Sequence, residues 1–98
     1  MYTLQIEHGV RDFEMWKGAY GADPLGRGDS GVLAERIYRP VGDEHYVVLD
    51  LDFATRGEAA EFLERLRSKV WSTPSASPAL ASGPKTRIVE QVDVAGRA

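Results

Sequence analysis

The sequence predicts an α+β domain of the ferredoxin-like kind, with a four-stranded antiparallel sheet that carries two helices on one face. Apolar and polar residues alternate over 2–8 and 45–53, which is typical of half-buried strands. Residues 12–20 and 56–71 instead follow the period of an α-helix. The resulting order is β-α-β-β-α-β. Because 98 residues cannot supply two independent cores, we expect one domain spanning 1–98.

The composition is that of an ordinary globular protein and excludes several kinds of chemistry. Hydrophobic residues make up 43% and charged residues 28%, and the net charge is −3. This mildly acidic balance disfavours nucleic acid and anionic membranes as partners. The absence of cysteine excludes disulfides, thiolate nucleophiles and cysteine-ligated metals. No membrane span or signal-peptide pattern is visible, so we expect a cytoplasmic protein.

The first half of the chain contains a strand, a helix and a loop. After the strand at 2–8, Asp12 is the predicted N-cap of the first helix, because its carboxylate can accept a free backbone N–H. Gly21 and Pro24 end this helix, and a glycine-rich loop covers 21–29.

The second half begins with a predicted hairpin, whose strands cover 31–39 and 45–53. The helix at 56–71 has capping-box spacing between Thr55 and Glu58. Its apolar residues form a narrow stripe, and Trp71 falls off that stripe. A connection at 72–84 is expected to contain a short helical turn at 78–82. The last strand covers 85–94, and 95–98 form a frayed tail.

The alternation assigns residues to the two faces of the sheet. We expect the helices to cover Leu4, Ile6, Val47, Leu49, Leu51 and Phe53. The hairpin register that places Arg36 beside Asp50 also places Tyr38 on the opposite, open face. That face would further carry Thr3, Gln5, Glu7, Ala34, Tyr46, Val48 and Asp52.

Two interpretations of the open face remain equally supported by periodicity. It is either a solvated surface with scattered charges or the inner wall of a two-subunit assembly. Enclosed charges need partners, and Arg36 with Asp50 or Glu7 is the natural pair. Alternatively, Asp50 and Glu7 form a carboxylate pair with a raised pKa that is suited to proton transfer.

Three further aromatic or ring-bearing residues have both a structural and a functional interpretation. The first and third strands are expected to be parallel neighbours, which would place His8 and His45 at opposite ends of the sheet and disfavour a metal site. His8 is then either a surface residue or an acid or base near Asp52. Trp71 either packs on the following loop or forms one wall of a pocket, with Arg27 nearby.

Several motifs resemble those of the small dimeric α/β-barrel proteins, including actinobacterial proteins labelled hypothetical or "cyclase". They are Leu4-Gln5-Ile6-Glu7-His8, Asp12-Phe13-Glu14-Met15-Trp16-Lys17, Asp23-Pro24-Leu25-Gly26-Arg27, Gly31-Val32, Tyr38-Arg39-Pro40, the third strand from Tyr46 to Phe53, and Arg87-Ile88-Val89-Glu90. The resemblance covers nearly the whole chain and implies a homodimer with an eight-stranded barrel between the subunits. Its superfamily includes cofactor-free monooxygenases, isomerases, polyketide cyclases and non-enzymatic ligand-binding domains, so the fold does not decide the function.

The resemblance implies a small apolar or aromatic ligand between the two sheets. Tyr38, Tyr46 and Val48 would line the chamber, Arg36 would hold an anionic oxygen, and Asp50 or Glu7 would move a proton. Trp71 and Arg27 would lie at its end. We expect no cofactor. The best-known monooxygenases of this superfamily use an Asn, a Trp and an Arg, and this chain has no Asn.

A catalytic role as a cofactor-independent oxygenase, isomerase or cyclase is one hypothesis. The alternative is a non-catalytic interaction or regulatory dimer whose barrel is filled by paired charges. An RNA-binding module is disfavoured, because Glu7, Asp50 and Asp52 would repel phosphate on the face where bases normally stack.

Overall fold

The computed structural model describes residues 1–73 and 80–92. Strands β1 and β2 are Tyr2–Gly9 and Ala34–Tyr38, and strands β3 and β4 are Tyr46–Phe53 and Lys85–Glu90. Helix α1 is Phe13–Gly21, and helix α2 is Arg56–Arg65, which continues into a π-helical segment, Leu66–Val70. The strands form one sheet in the order β2-β3-β1-β4. The predicted ferredoxin-like α+β fold is therefore confirmed.

The direction of β3 relative to β1 was wrongly predicted. The two strands are antiparallel, with Thr3 opposite Asp52 and His8 opposite Val47. The reason is topological. The hairpin makes β3 antiparallel to β2, and the crossover through α1 makes β2 parallel to β1, so β3 must oppose both. As a result, His8 and His45 lie at the same end of the sheet, and Asp52 lies at the other end.

The face assignments of the two central strands are confirmed by burial. The inward residues of β1 and β3 are almost completely enclosed, and one buried cluster joins them to Trp16 of α1 and to Ala59, Phe62 and Leu63 of α2. The sheet residues in this cluster are Leu4, Ile6, Val47, Leu49, Leu51 and Phe53. Removing this apolar surface from water is the main favourable contribution to folding.

Both predicted helix starts are confirmed. The Asp12 carboxylate accepts a hydrogen bond from the Met15 backbone N–H at 2.9 Å. At α2, Thr55 Oγ1 accepts from the Glu58 N–H at 3.1 Å and donates to the Glu58 carboxylate at 3.0 Å. The bonds from the Met15 and Glu58 N–H groups each satisfy a backbone donor that the first helical turn would otherwise leave without a partner, whereas the bond from Thr55 to the Glu58 carboxylate joins two side chains.

The ends of several elements differ from the prediction. The strands β2 and β4 are shorter than 31–39 and 85–94, and the second helix is α-helical only to Arg65. Leu80, inside the turn predicted at 78–82, forms an isolated antiparallel bridge with Val10 instead. The rest of that turn up to 79, and the tail at 95–98, lie outside the described residues.

Within the two described ranges, no helix has the length and apolar character needed to cross a bilayer.

Candidate functional site

A cavity lies between the helix-covered face of the sheet and the helices themselves. Its volume is about 80 Å³. Ile6, Leu49 and Leu51 form the floor, while Phe62 and Leu66 close it from the second helix. These side chains are apolar, so any bound molecule would lie in a weakly polar environment. The cavity is on the opposite side of the sheet from the open face, where the ligand was expected.

His8 is the titratable residue that β1 places against this cavity. Only 3% of it is exposed, so the interpretation as a surface histidine is wrong. Its Nδ1 lies 2.9 Å from the Gly9 carbonyl oxygen. A carbonyl can only accept, so Nδ1 carries the hydrogen, and Nε2 of the neutral ring is the acceptor. Burial lowers the pKa of His8, which favours this neutral form.

Aromatic rings form one side of the cavity and hold the His8 ring in place. The Trp16 ring meets His8 edge to face, with 6.3 Å between ring centroids. Trp16 also stacks on Tyr20 at 5.0 Å and contacts Phe13 at 5.8 Å. Trp71, which follows the π-helical segment, contributes a second indole to the lining. Rings at these separations attract one another and lose little conformational entropy, so they form a rigid wall.

Arg27 lies at the margin of the cavity and is fully engaged by its neighbours. Its guanidinium stacks over the Tyr20 ring at 3.8 Å and donates to the Tyr20 carbonyl at 2.7 Å. Its Nε donates to Glu35 at 3.1 Å, and Nη1 lies 3.2 Å from Asp23. These two carboxylates neutralise the cation. Arg27 therefore orders the loop against α1 and Tyr20 and has little charge left for a ligand.

Tyr20 contributes a phenol to the same margin. Burial raises the pKa of this hydroxyl above its ordinary value, and Arg27 opposes the shift. The phenol therefore stays protonated at neutral pH and can donate a hydrogen bond, but it cannot act as a base there.

The open face of the sheet carries a charged cluster centred on Arg36. The Arg36 guanidinium donates to both oxygens of Asp52, at 2.8 and 3.0 Å. Its Nε also lies 3.8 Å from a carboxylate oxygen of Asp50. Thr3 also donates to Asp52 at 2.7 Å. Hydrogen bonds from Arg36 and Thr3 lower the pKa of Asp52, although burial opposes the shift. The predicted partner Asp50 is thus present, but Asp52 is the closer one.

The other predicted carboxylate on this face has a different partner. Tyr46 donates to Glu7 at 2.8 Å, and this hydrogen bond raises the pKa of the Tyr46 phenol. Farther along β1, Arg87 of β4 donates to Gln5 at 2.7 Å. Val48 is half-buried between these pairs. Several polar side chains of the open face are therefore hydrogen-bonded to one another.

The predicted site residues separate into two groups on opposite sides of the sheet. Trp71 and Arg27 line the cavity. The other six point to the open face: Glu7, Arg36, Tyr38, Tyr46, Val48 and Asp50. His8 was expected at the surface because it lies at the end of the first strand. Its position in the Leu4, Ile6, His8 alternation was the available signal for burial.

A metal centre finds no support among the described residues. His8 and His45 do lie at one end of the sheet, where the Val10 N–H donates to the His45 carbonyl at 2.8 Å. However, no three His, Asp or Glu side chains within 1–73 and 80–92 are arranged to hold a metal ion.

No protein-family model matches the chain, and no curated protein is similar to it in sequence. Solved structures of the same fold do match. SnoaB, a cofactor-independent oxygenase from Streptomyces nogalater, superposes with a TM-score of 0.70 at 11% identity, covering 98% of this chain and 97% of SnoaB. An antibiotic biosynthesis monooxygenase gives 0.67 at 10% identity, with 95% and 100% coverage.

A dimeric ferredoxin-like protein from an uncultured marine organism gives a TM-score of 0.66 at 7% identity, covering 99% of this chain and all of that one. At such low identities the similarity shows the fold alone. The residues of this chain must carry any argument about function.

The environment of His8 predicts a specific pH dependence. Because the folded chain binds this proton less tightly than the unfolded chain, the free energy of unfolding should fall as the pH drops below about 6.5. NMR titration should give His8 a pKa below that value, with the signals assigned through His45→Gln. The decrease in the free energy of unfolding at low pH should be smaller in His8→Gln than in the wild type. A His8 pKa at or above 6.5 would show that the ring is not held neutral.

Proposed function

We propose that this protein binds a small, mostly apolar aromatic molecule in the cavity beneath its helices, and that His8 acts on the ligand as a base. The observation that carries this proposal is the neutral imidazole of His8, which borders a mostly apolar cavity and whose Nε2 is the accepting nitrogen. Enclosed apolar pockets with a few polar groups are the usual form of small-molecule sites.

The chemistry that this chain can supply is proton removal. Nε2 would take a proton from an O–H or an activated C–H of the ligand, which leaves a ligand anion beside an imidazolium. A carbanion formed in this way can react with O₂, be reprotonated at another carbon, or attack a carbonyl group. These outcomes correspond to an oxygenase, an isomerase and a cyclase. The proton returns from His8 to the product or to water, so the enzyme regains its neutral form.

The size of the cavity limits the ligand. Drug-sized molecules occupy pockets of about 300–1,000 Å³, whereas an engineered apolar cavity of about 150 Å³ binds benzene. The volume of about 80 Å³ is smaller than both values, so the ligand can be no larger than a single ring.

The similarity to SnoaB supports the oxygenase among these reactions, because that neighbour is a cofactor-independent oxygenase. No residue role is transferred at 11% identity. The non-catalytic alternative is favoured by one observation, the mutually satisfied polar pairs on the open face, which leave little reason for a ligand to bind there.

We further propose that the open face is a homodimer interface. Its support is the half-buried part of this surface, where polar side chains are hydrogen-bonded to one another, and the dimeric state of the marine ferredoxin-like neighbour. A barrel closed in this way would be filled by side chains, and the ligand would occupy the separate cavity in each protomer.

A bulky side chain placed in the cavity, or on the open face as a control, tests where the ligand binds. Ala19 of α1 lines the cavity, and Val48 lies on the open face. With phenol as the probe in calorimetric titrations, Ala19→Phe should weaken binding at least about tenfold, because it occupies the space. Val48→Phe should leave the affinity within about twofold. The opposite result would contradict this location. If Val48→Phe loses affinity for phenol and Ala19→Phe retains it, the ligand binds between two sheets.

Charge insertion on matched apolar residues tests the dimer. Tyr38 on the open face and Met15 on α1 are 48% and 50% exposed. Sedimentation equilibrium should find the wild type at twice 10.8 kDa. Tyr38→Glu should dissociate it, since an unpaired carboxylate would be buried, while Met15→Glu should not. A wild type that stays at 10.8 kDa at all micromolar concentrations would contradict the proposal.

A further inference from the structure

Trp71 occupies a position that regular α-helical geometry would not give it. The stripe of the second helix runs through Phe62, Leu66 and Val70, and Trp71 is five residues beyond Leu66. At about 100° per residue, five residues turn the helix through one full turn plus about 140°. An uninterrupted α-helix would therefore direct Trp71 away from the cavity, yet the structure places it in the lining.

The π-helical segment accounts for this difference. The Trp71 N–H donates to the Leu66 carbonyl at 2.8 Å, an i to i−5 hydrogen bond in place of the α-helical i to i−4 bond. The wider turn accommodates one extra residue, so Trp71 comes to lie approximately over Leu66. Leu66, Val70 and Trp71 all line the cavity as a result.

Two serines form hydrogen bonds to backbone carbonyls on the solvent-exposed side of the segment. Ser68 Oγ donates to the Glu64 carbonyl at 3.0 Å, and Ser72 Oγ donates to the Ser68 carbonyl at 2.7 Å. Both bonds reach back four residues and supply hydrogen-bond donors to carbonyl groups in this part of the helix. Both serine hydroxyls lie on the exposed side of the helix, while the apolar residues of the π segment face the cavity.

We infer that Trp71 sets the upper size limit of the ligand, and that the π segment is the device that places its indole in the cavity wall. This inference rests on the proposed function, since it concerns the same cavity. The indole is the largest side chain on this part of the wall and is half-buried. Its removal would add space directly above the apolar floor, where a second ring of the ligand could extend.

Changes in helical phase test the placement of Trp71. Deletion of the exposed Ser68 puts Trp71 four residues after Leu66, where a regular α-helix brings it back over the cavity. Insertion of one alanine after Ser68 puts Trp71 six residues away, about 240° around the helix and outside the cavity. The deletion should behave like the wild type, and the insertion should behave like Trp71→Ala.

The size limit is measured with phenol and 2-naphthol as one-ring and two-ring probes. Trp71→Ala and the insertion variant should bind 2-naphthol at least about tenfold more tightly than the wild type and the deletion variant do. Affinity for phenol should change much less. If the wild type binds phenol but neither variant admits the larger probe, Trp71 does not limit the ligand. If no variant binds either probe, both the proposed function and the size limit fail.

A readout without ligand separates these outcomes. In a Trp16→Phe background, Trp71 is the only tryptophan, and its emission maximum reports its exposure to water. The insertion should shift this emission to longer wavelength, and the deletion should not. An unchanged emission in a folded insertion variant would overturn the role of the π segment. If the insertion variant does not fold, the emission of the deletion variant is the test. A shift of its Trp71 emission to longer wavelength would overturn the role of the π segment, and an unchanged emission would support it.

Discussion

The antiparallel pairing of β1 with β3 is the constraint on which the rest of this structure depends. Its register alternates strictly, so Leu4 and Leu51 point to the helices while Thr3 and Asp52 point away. A slip of one residue would exchange the two faces, burying the charges and exposing the core. The apolar face supplies the floor of the cavity, and the polar face supplies the Arg36 cluster. Both candidate surfaces are thus products of one ladder of backbone hydrogen bonds.

The same ladder would keep the proposed ligand site and the proposed assembly surface apart. The sheet is one residue layer thick, and side chains on its two faces do not meet. The helix side holds the cavity within a single chain, where mostly apolar groups surround a neutral His8. The other side offers pairs such as Tyr46 with Glu7, which a second sheet could cover. A change on one face can therefore alter binding without altering assembly.

Sequence periodicity was sufficient to predict the helices and strands and the faces of the two central strands, because these patterns depend on neighbouring residues. The helix caps could be predicted for the same reason, since each is a short-range hydrogen bond. Periodicity failed where long-range geometry decides. The direction of β3 follows from connectivity, and the burial of His8 at the end of β1 depends on its packing against Trp16 of α1. Trp71 was found off the helical stripe, but a π turn has no pattern in a single sequence that announces it. Asp52, rather than Asp50, binds Arg36 most closely because a long side chain reaches diagonally across the strands.

The proposed location of the ligand is the cavity under the helices. It is tested most directly by mapping backbone amide shifts in NMR spectra during titration with phenol. The largest changes should occur at His8, Ala19, Leu49 and Trp71, which surround the cavity. Changes concentrated instead at Tyr38, Tyr46 and Val48 would place the ligand on the open face and contradict this claim.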